Sequence, residues 1–509
     1  MTRKEFLRLA SRGATAAVIG PAGPAAARER PPAQMNAQKK PPSGVTRAVV
    51  DFITTASFDR LPEKVIVEAK RCLIDGFGVV LAGSTVRGSA IVREYVKSTS
   101  GSSEATVIAS EPLSAPAALA ALANGAAGHA MDYDDTQLSA SPDRVFGLLT
   151  HPTVPALAAS LALGERLNVS GRVFLEAFLT GFEVECKIAE AIDPDHYLRG
   201  FHSTGTIGTF GATASAAKLL TLQPAAVAHA LGIAASAASG IRVNFGSMTK
   251  PLHAGRAAEN GIVAAELASR GLTAGDDGLD GEWGFFRVFG GGADVTRVMP
   301  TLGKPFSIVD PGVSFKPYPC GSLGHPTMDA MMKLVTSHDV KPEQIERVRV
   351  RAGSNILNPL RYKTARTELE AKFCLPFMMS AIVLRRRAGI REFTDEFVSS
   401  APVQSMMARV ETFFDREIEA RGFDKMRSIV EVSLKDGRTL VQPSDERYRG
   451  GPERPFTREE LHEKFADCAG LLLPPERIRR ALELIESLEQ IKNVRELTQA
   501  MAPSSSRRE

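Results

Sequence analysis

The sequence predicts a mainly α protein, in which a large all-helical domain is interrupted by a smaller inserted α+β domain. Three observations carry this. Between Ser114 and about Leu272 the chain is rich in Ala, Gly and Leu at helical spacing. β-like runs such as IERVRVRAG and SIVEVSLKDGRTL come only after Gly290. Helix signals return beyond about Pro443. The expected boundaries are 1–43 for a signal-like segment and linker, 44–310 for the first helical part, 311–440 for the α+β insert, 441–500 for the C-terminal helical part, and 501–509 for a disordered tail.

Within this frame each element has a local cause. In PEKVIVEAKRCLIDGFGVVLAG, Val65, Ile66, Ala69, Leu73 and Phe77 recur at helical spacing, predicting a first core helix over 61–81 that Gly83 would stop. Stretches such as AALAALANGAAGHA, GATASAAKLL and AENGIVAAELASRGL predict helices in close contact through small residues. Lys435-Asp436-Gly437 between β-branched runs predicts a hairpin, and Thr457 with Glu460 a capping box.

At 509 residues the chain exceeds what one hydrophobic core supports. Hydrophobic residues at 44% and charged residues at 24% are those of an ordinary globular protein. A net charge of +4, with acidic and basic residues interspersed, argues against a nucleic-acid partner. The short run Arg385, Arg386 and Arg387 reads as a solvated helix end facing the helix dipole. Five widely spaced cysteines without a C-x-x-C pair argue against a disulfide framework, a structural zinc site or an iron–sulfur cluster.

The N-terminal TRKEFLRL precedes an uncharged alanine-rich stretch. It resembles a twin-arginine export signal in which Lys4 replaces the second arginine and Arg8 the lysine. A periplasmic location is the expectation, with an uncleaved extension on a cytoplasmic protein as the alternative. No later stretch is long and apolar enough to span a membrane.

Several motifs concentrate chemistry. In GHAMDYDDT a helical continuation would align His129, Asp132 and Thr136 on one face, joining imidazole, carboxylate and hydroxyl. Such a trio can move protons, although Asp132, Asp134 and Asp135 could instead bind a divalent cation or form a solvated helix end. His151 opens HPTVPALAAS at a helix start, and His202 precedes a helix carrying Gly205, Gly208 and Gly211. TKPLHAGRAAENG puts Lys250 in a first helical turn, with His253, Arg256 and Asn260 forming a stripe that a bound carboxylate would compensate. Lys316 stands on stiff backbone before Pro317, with His325 opening the next helix. H-E-x-x-H, G-x-S-x-G, a complete P-loop and a complete dinucleotide fingerprint are all missing, which weakens zincin, esterase, NTPase and dehydrogenase readings.

GHAMDYDDT, HPT, FHSTGTIGTFGATASAAKLL, KPLHAGRAAENG, KPYPCGSLGHP and ELEAKFCLPF stand in the order seen in MmgE/PrpD proteins, which the chain resembles over about 45–495. The resemblance implies that the α+β insert is lid-like. It also implies a homodimer, and chemistry without metal or organic cofactor on acids with two or three carboxylates. The family includes 2-methylcitrate dehydratase, cis-aconitate decarboxylase and an iminodisuccinate epimerase. By similarity to the decarboxylase, Asp132, Thr136, His151, His202, Lys250 and Lys316 match catalytic or substrate-contacting positions, as does Tyr362; His129 and His253 lie in the same motifs. Two departures, Gly321 where a decarboxylase histidine falls and the longer insert QLSASPDRVFGLLT between Thr136 and His151, turn the expectation toward dehydration of a 2-methylcitrate-like hydroxy acid. An epimerase or decarboxylase of a related acid, and an exported carboxylate-binding protein without turnover, are the rivals.

Overall fold

A computed structural model describes residues 44–99, 101–111, 113–138 and 148–502. The signal-like segment 1–43 and nearly all of the expected tail lie outside the described residues. The helical part comprises α1 (Val45–Thr55), α2 (Glu63–Gly83), α3 (Arg87–Thr99), α4 (Ala117–Ala130), α5 (Thr153–Leu167), α6 (Gly171–Ile192), α7 (Gly208–Leu219), α8 (Pro224–Ala237) and α9 (Thr249–Ser269). Two small antiparallel pairs interrupt it, β1 (Ala105–Val107) with β2 (Leu113–Ala115) and β3 (Gln137–Leu138) with β4 (Leu148–Thr150), so this part is not wholly helical.

The β-like runs form one four-stranded sheet from β5 (Ile345–Ala352), β6 (Val410–Phe414), β7 (Ser428–Leu434) and β8 (Thr439–Pro443), in the order β6-β5-β7-β8. β5 is parallel to β6 and antiparallel to β7, and the Lys435-Asp436-Gly437 turn joins β7 to β8 as expected. Alternation decides which face is buried: Val348, Val350, Val430 and Val432 point inward, toward α10 (His325–Ser337) and α11 (Leu375–Arg385). One hydrophobic cluster, which also takes in Leu138, Tyr197 and Phe245, unites these elements, and they pack into the same compact unit as the helices. α12 (Arg458–Ala469) and α13 (Pro475–Glu486) then return to α2, and Thr457 and Glu460 form the capping box that starts α12. Among the described residues no helix is long and apolar enough to cross a membrane, and all five cysteines are free and buried.

Two local expectations are corrected, and a third is met with an added cause. α1 precedes the helix expected to be first. Gly83 ends α2, as expected. It is the last helical residue, and its missing side chain admits the Ala127 carbonyl of α4, which a Cβ would overlap. The continuation of α4 through Asp132 to Thr136 does not form. α4 ends at Ala130, Asp132 adopts a left-handed φ of 49°, and Thr136 pairs in extended backbone with Ser314. A left-handed residue costs roughly 1–2 kcal/mol, least for Asp, Asn and Gly, so this turn must be held by its surroundings.

One helix crossing positions several polar side chains. α4 meets α9 where Gly125 faces Gly255, close enough that a Cβ on Gly255 would sit 2.3 Å from the Leu122 carbonyl. One turn beyond on α4 stands His129, and at the near end of α9 stand Lys250 and His253.

Candidate active site

The paired backbone of Thr136 and Ser314 brings the Lys316 segment beside the end of α4 (Thr136 N to Ser314 O, 2.9 Å; Ser314 N to Thr136 O, 2.7 Å). Lys316 and Lys250 then converge on one carboxylate. Lys250 Nζ donates to Asp132 Oδ1 at 2.6 Å, and Lys316 Nζ to the same oxygen at 2.8 Å and to the Asp132 carbonyl at 2.9 Å. All three side chains are buried. Burial alone would raise the Asp132 pKa, but the two ammonium groups outweigh it and hold the carboxyl well below its usual range. Phe245 and Phe373 flank Lys250, with ring centroids 5.3 and 5.5 Å from Nζ.

Three imidazoles gather beside this pair. Ring centroids of His129 and His151 are 4.8 Å apart, His129 and His202 5.4 Å, and His151 and His202 6.5 Å. Burial is the main reason that all three titrate below the ordinary histidine value, so they are neutral near pH 7. Their partners fix two tautomers. Asp134, which burial would protonate, is kept ionised by the hydrogen bond from His129 and by the Lys316 ammonium. An ionised carboxylate can only accept, so His129 Nδ1 carries the proton it donates to Asp134 Oδ2 at 2.8 Å, and Nε2 keeps its lone pair. His151 Nδ1 donates to the Asp135 carbonyl at 2.8 Å, which leaves its Nε2 basic as well. His202 shares one proton with His253 through their Nδ1 atoms, 3.0 Å apart. Burial, then His129 and Lys250, brings His253 down to about 4.

Six buried polar atoms in this group have no hydrogen-bond partner: His129 Nε2, His202 Nε2, Asp132 Oδ2, Asp134 Oδ1, Asp135 Oδ1 and Thr136 Oγ1. Native interiors rarely leave such atoms unsatisfied, and a convergent set marks where a polar ligand binds. His129, Asp132 and His151 also offer atoms within 4.8 Å of one another, a spacing that could hold a metal ion. However, two ammonium groups already occupy Asp132, and their charges oppose a cation there.

The structure thus brings together Asp132, Thr136, His129, His151, His202, His253, Lys250 and Lys316. It does not bring in Arg256. That residue is a neighbour of His253 along the helix but falls on the exposed side of α9, where it pairs with Glu259. Tyr362 is half-buried, and its hydroxyl donates to the Phe245 carbonyl at 3.5 Å. Asp132 serves the lysines and Asp134 the histidines.

Sequence reasoning missed Lys372, Lys464 and Asp75. Lys372 Nζ donates to the Ala130 carbonyl at 3.0 Å; Lys464 Nζ donates to the Tyr133 carbonyl at 2.8 Å and pairs with Asp75 at 2.5 Å. Lys372 lies inside ELEAKFCLPF, the one signal that could have flagged it. Lys464, in an amphipathic helix, reads like any solvated lysine.

Asp135 supplies a pH prediction. Its Oδ2 accepts from Thr153 at 2.6 Å, and burial, then Asp75, push its carboxyl up to about 8. The unfolded chain releases this proton near pH 4 and the folded chain near 8. The contribution to stability is therefore full below about pH 4 and lost as pH rises toward 8. Asp135→Asn keeps the acceptor for Thr153 and removes the titration. Its melting temperature relative to the parent protein should climb between pH 5 and pH 8; parallel curves by calorimetry would contradict the assignment.

The arrangement, buried lysines on one carboxylate beside neutral histidines with fixed tautomers, stands in a chain that belongs to the MmgE/PrpD family. Residues 47–298 match the MmgE/PrpD N-terminal domain and 318–490 its C-terminal domain. Among its relatives are human cis-aconitate decarboxylase, 29% identical over 465 residues covering 89% of this chain and 94% of that protein, and the mouse enzyme of the same name at 28%, covering 90% and 93%. Cis-aconitate decarboxylase of Aspergillus terreus is 24% identical, covering 92% and 98%.

Proposed function

We propose that the chain is a lyase that moves a proton at a carbon beside a carboxylate of a small polycarboxylic acid, most specifically in losing water from a 2-methylcitrate-like hydroxy acid. The observation that carries this is the juxtaposition of His129 Nε2 and His202 Nε2, both buried and unpartnered, with two lysines that retain free donors. Of three N–H groups each, Lys250 commits one to Asp132 and Lys316 two. The remainder can bind a substrate carboxylate and stabilise the negative charge that grows as the adjacent C–H proton leaves. His129, neutral and backed by Asp134, is the base; where His253 Nδ1 donates to His202 Nδ1, His202 carries its own proton on Nε2, placed to protonate departing hydroxide as the C–O bond breaks.

Decarboxylation is the second reading, favoured by the cis-aconitate decarboxylases among the relatives. There the same cations would hold the retained carboxylates, and a histidine proton would go to carbon as carbon dioxide departs.

Proton NMR in D2O with citrate, 2-methylcitrate, cis-aconitate and hydroxy-dicarboxylates separates the readings. A new alkene from a hydroxy acid supports dehydration, and carbon dioxide loss from cis-aconitate supports decarboxylation. Deuterium exchange without elimination indicates an epimerase, and no change across the panel refutes a lyase. Because Lys250 and Lys316 already neutralise Asp132, turnover is expected to survive dialysis against EDTA; its loss, restored by one divalent metal, would assign His129, Asp132 and His151 to a metal instead.

A further inference from the structure

The turn between α4 and Thr136 is gripped by four buried lysines from four separate segments of the chain: Lys250 on α9, Lys316 after Ser314, Lys372 before α11 and Lys464 on α12. Two of them reach the Asp132 carboxylate. The other two do not touch it. Lys372 donates to the Ala130 carbonyl and Lys464 to the Tyr133 carbonyl, on either side of Asp132.

We propose that Lys372 and Lys464 are positioning residues, whose ammonium groups hold the left-handed turn that presents the Asp132 carboxylate between Lys250 and Lys316. This rests on the lyase reading of the same site.

Three observations support it. The Ala130 carbonyl is among the last of α4, where no helical donor exists and the helix dipole favours a cation. Asp132 holds a φ that non-glycine residues seldom adopt, so the flanking carbonyls need fixed partners. Burying lysines is costly unless each is paired, and both are: Lys372 with Glu368, Lys464 with Asp75, and Lys464 lies 4.0 Å from the Tyr133 ring centroid. A helix cap alone needs one donor to one end. Here the two donors bracket the residue that both site lysines share.

Two variants test this. Lys372→Met leaves Glu368, which is partly exposed, free to hydrate. Asp75→Asn with Lys464→Met removes a buried charge together with its partner. In each, kcat on the substrate identified by NMR should fall about 10²-fold per folded molecule, as a misplacement of roughly 1 Å costs. KM should change far less, and Lys372→Arg should restore part of the loss. The basic limb of the kcat profile should move down. Lys250 is lowered by burial and by Lys316 and raised by Asp132 and Asp134; a displaced Asp132 removes part of what raises it. A crystal structure of Lys372→Met should show Asp132 out of the left-handed region.

Unchanged kcat and pH profile in folded variants, or an unmoved Asp132, would overturn the proposal and reduce both lysines to helix caps. If the double variant does not fold, Lys372→Met carries the test. If the parent protein turns over nothing, the lyase reading fails, while the crystal structure still decides whether Asp132 is held by these lysines.

Discussion

Replacing Lys316 by methionine is expected to lower kcat by about 10²- to 10³-fold and to raise KM in the same variant. Methionine keeps most of the stem, so packing against the buried surroundings is largely retained and the loss is of charge and donors. Lys316 bonds both the carbonyl and the carboxylate of Asp132 while 1% exposed, so its deletion removes one of two cations from Asp132 and releases the turn. Binding falls because a substrate carboxylate loses a partner. Turnover falls further because that partner interacts most strongly with the charge that develops as the proton leaves. Steady-state kinetics at saturating and limiting substrate measure both; unchanged values would remove Lys316 from the site.

The second large effect is expected at the crossing of α4 and α9. Gly255→Ala places a Cβ 2.3 Å from the Leu122 carbonyl and 2.9 Å from the Ala126 nitrogen, both backbone atoms of α4 that cannot rotate aside. The helices must separate, at a cost of about 3 kcal/mol or more, as overpacked cores show. Separation of α4 from α9 also moves His129 away from His253 and loosens Lys250 from Asp132. Activity per folded molecule should therefore fall along with the melting temperature. Gly101→Ala, where a Cβ meets nothing within 4 Å, is the control expected to change neither. A stable, fully active Gly255→Ala would show that the crossing does not set the site.

Much of the site was legible from residue types and spacing. His151, His202, Lys250 and Lys316 each stood in a motif whose local conformation could be read, a helix start, a segment just before a helix, a first turn and a stiff segment before proline, whereas the helix carrying His129 ends earlier than expected. Such features depend on a few neighbouring residues, and the structure places all five in one group. The hairpin at Lys435-Asp436-Gly437 and the Thr457 capping box were legible for the same reason. Arg256 shows where this reasoning stops. Helical periodicity puts it beside His253, but which side of α9 faces protein depends on what α4 and the Phe245 segment cover, and the boundary falls between the two residues.

The sequence by itself determined the chemistry available here: imidazoles and ammonium groups on short motifs, in an alanine- and glycine-rich helical frame that permits close crossings. Only the tertiary structure decided how these groups pair. Lys250, Lys316, Lys372 and Lys464 reach the turn around Asp132 from 118, 184, 242 and 331 residues away from the atoms they touch. No local pattern distinguishes a lysine bound for such a partner from one bound for water. The division of labour among three neighbouring aspartates has the same origin. Asp132 is held ionised by lysines, Asp134 by the hydrogen bond from His129 and by Lys316, and Asp135 is left protonated to about pH 8 by burial and then by the charge of Asp75, another buried carboxyl. Identical side chains close together in the chain acquire different charges because charge in an interior is set by burial and by distant partners, which only folding supplies.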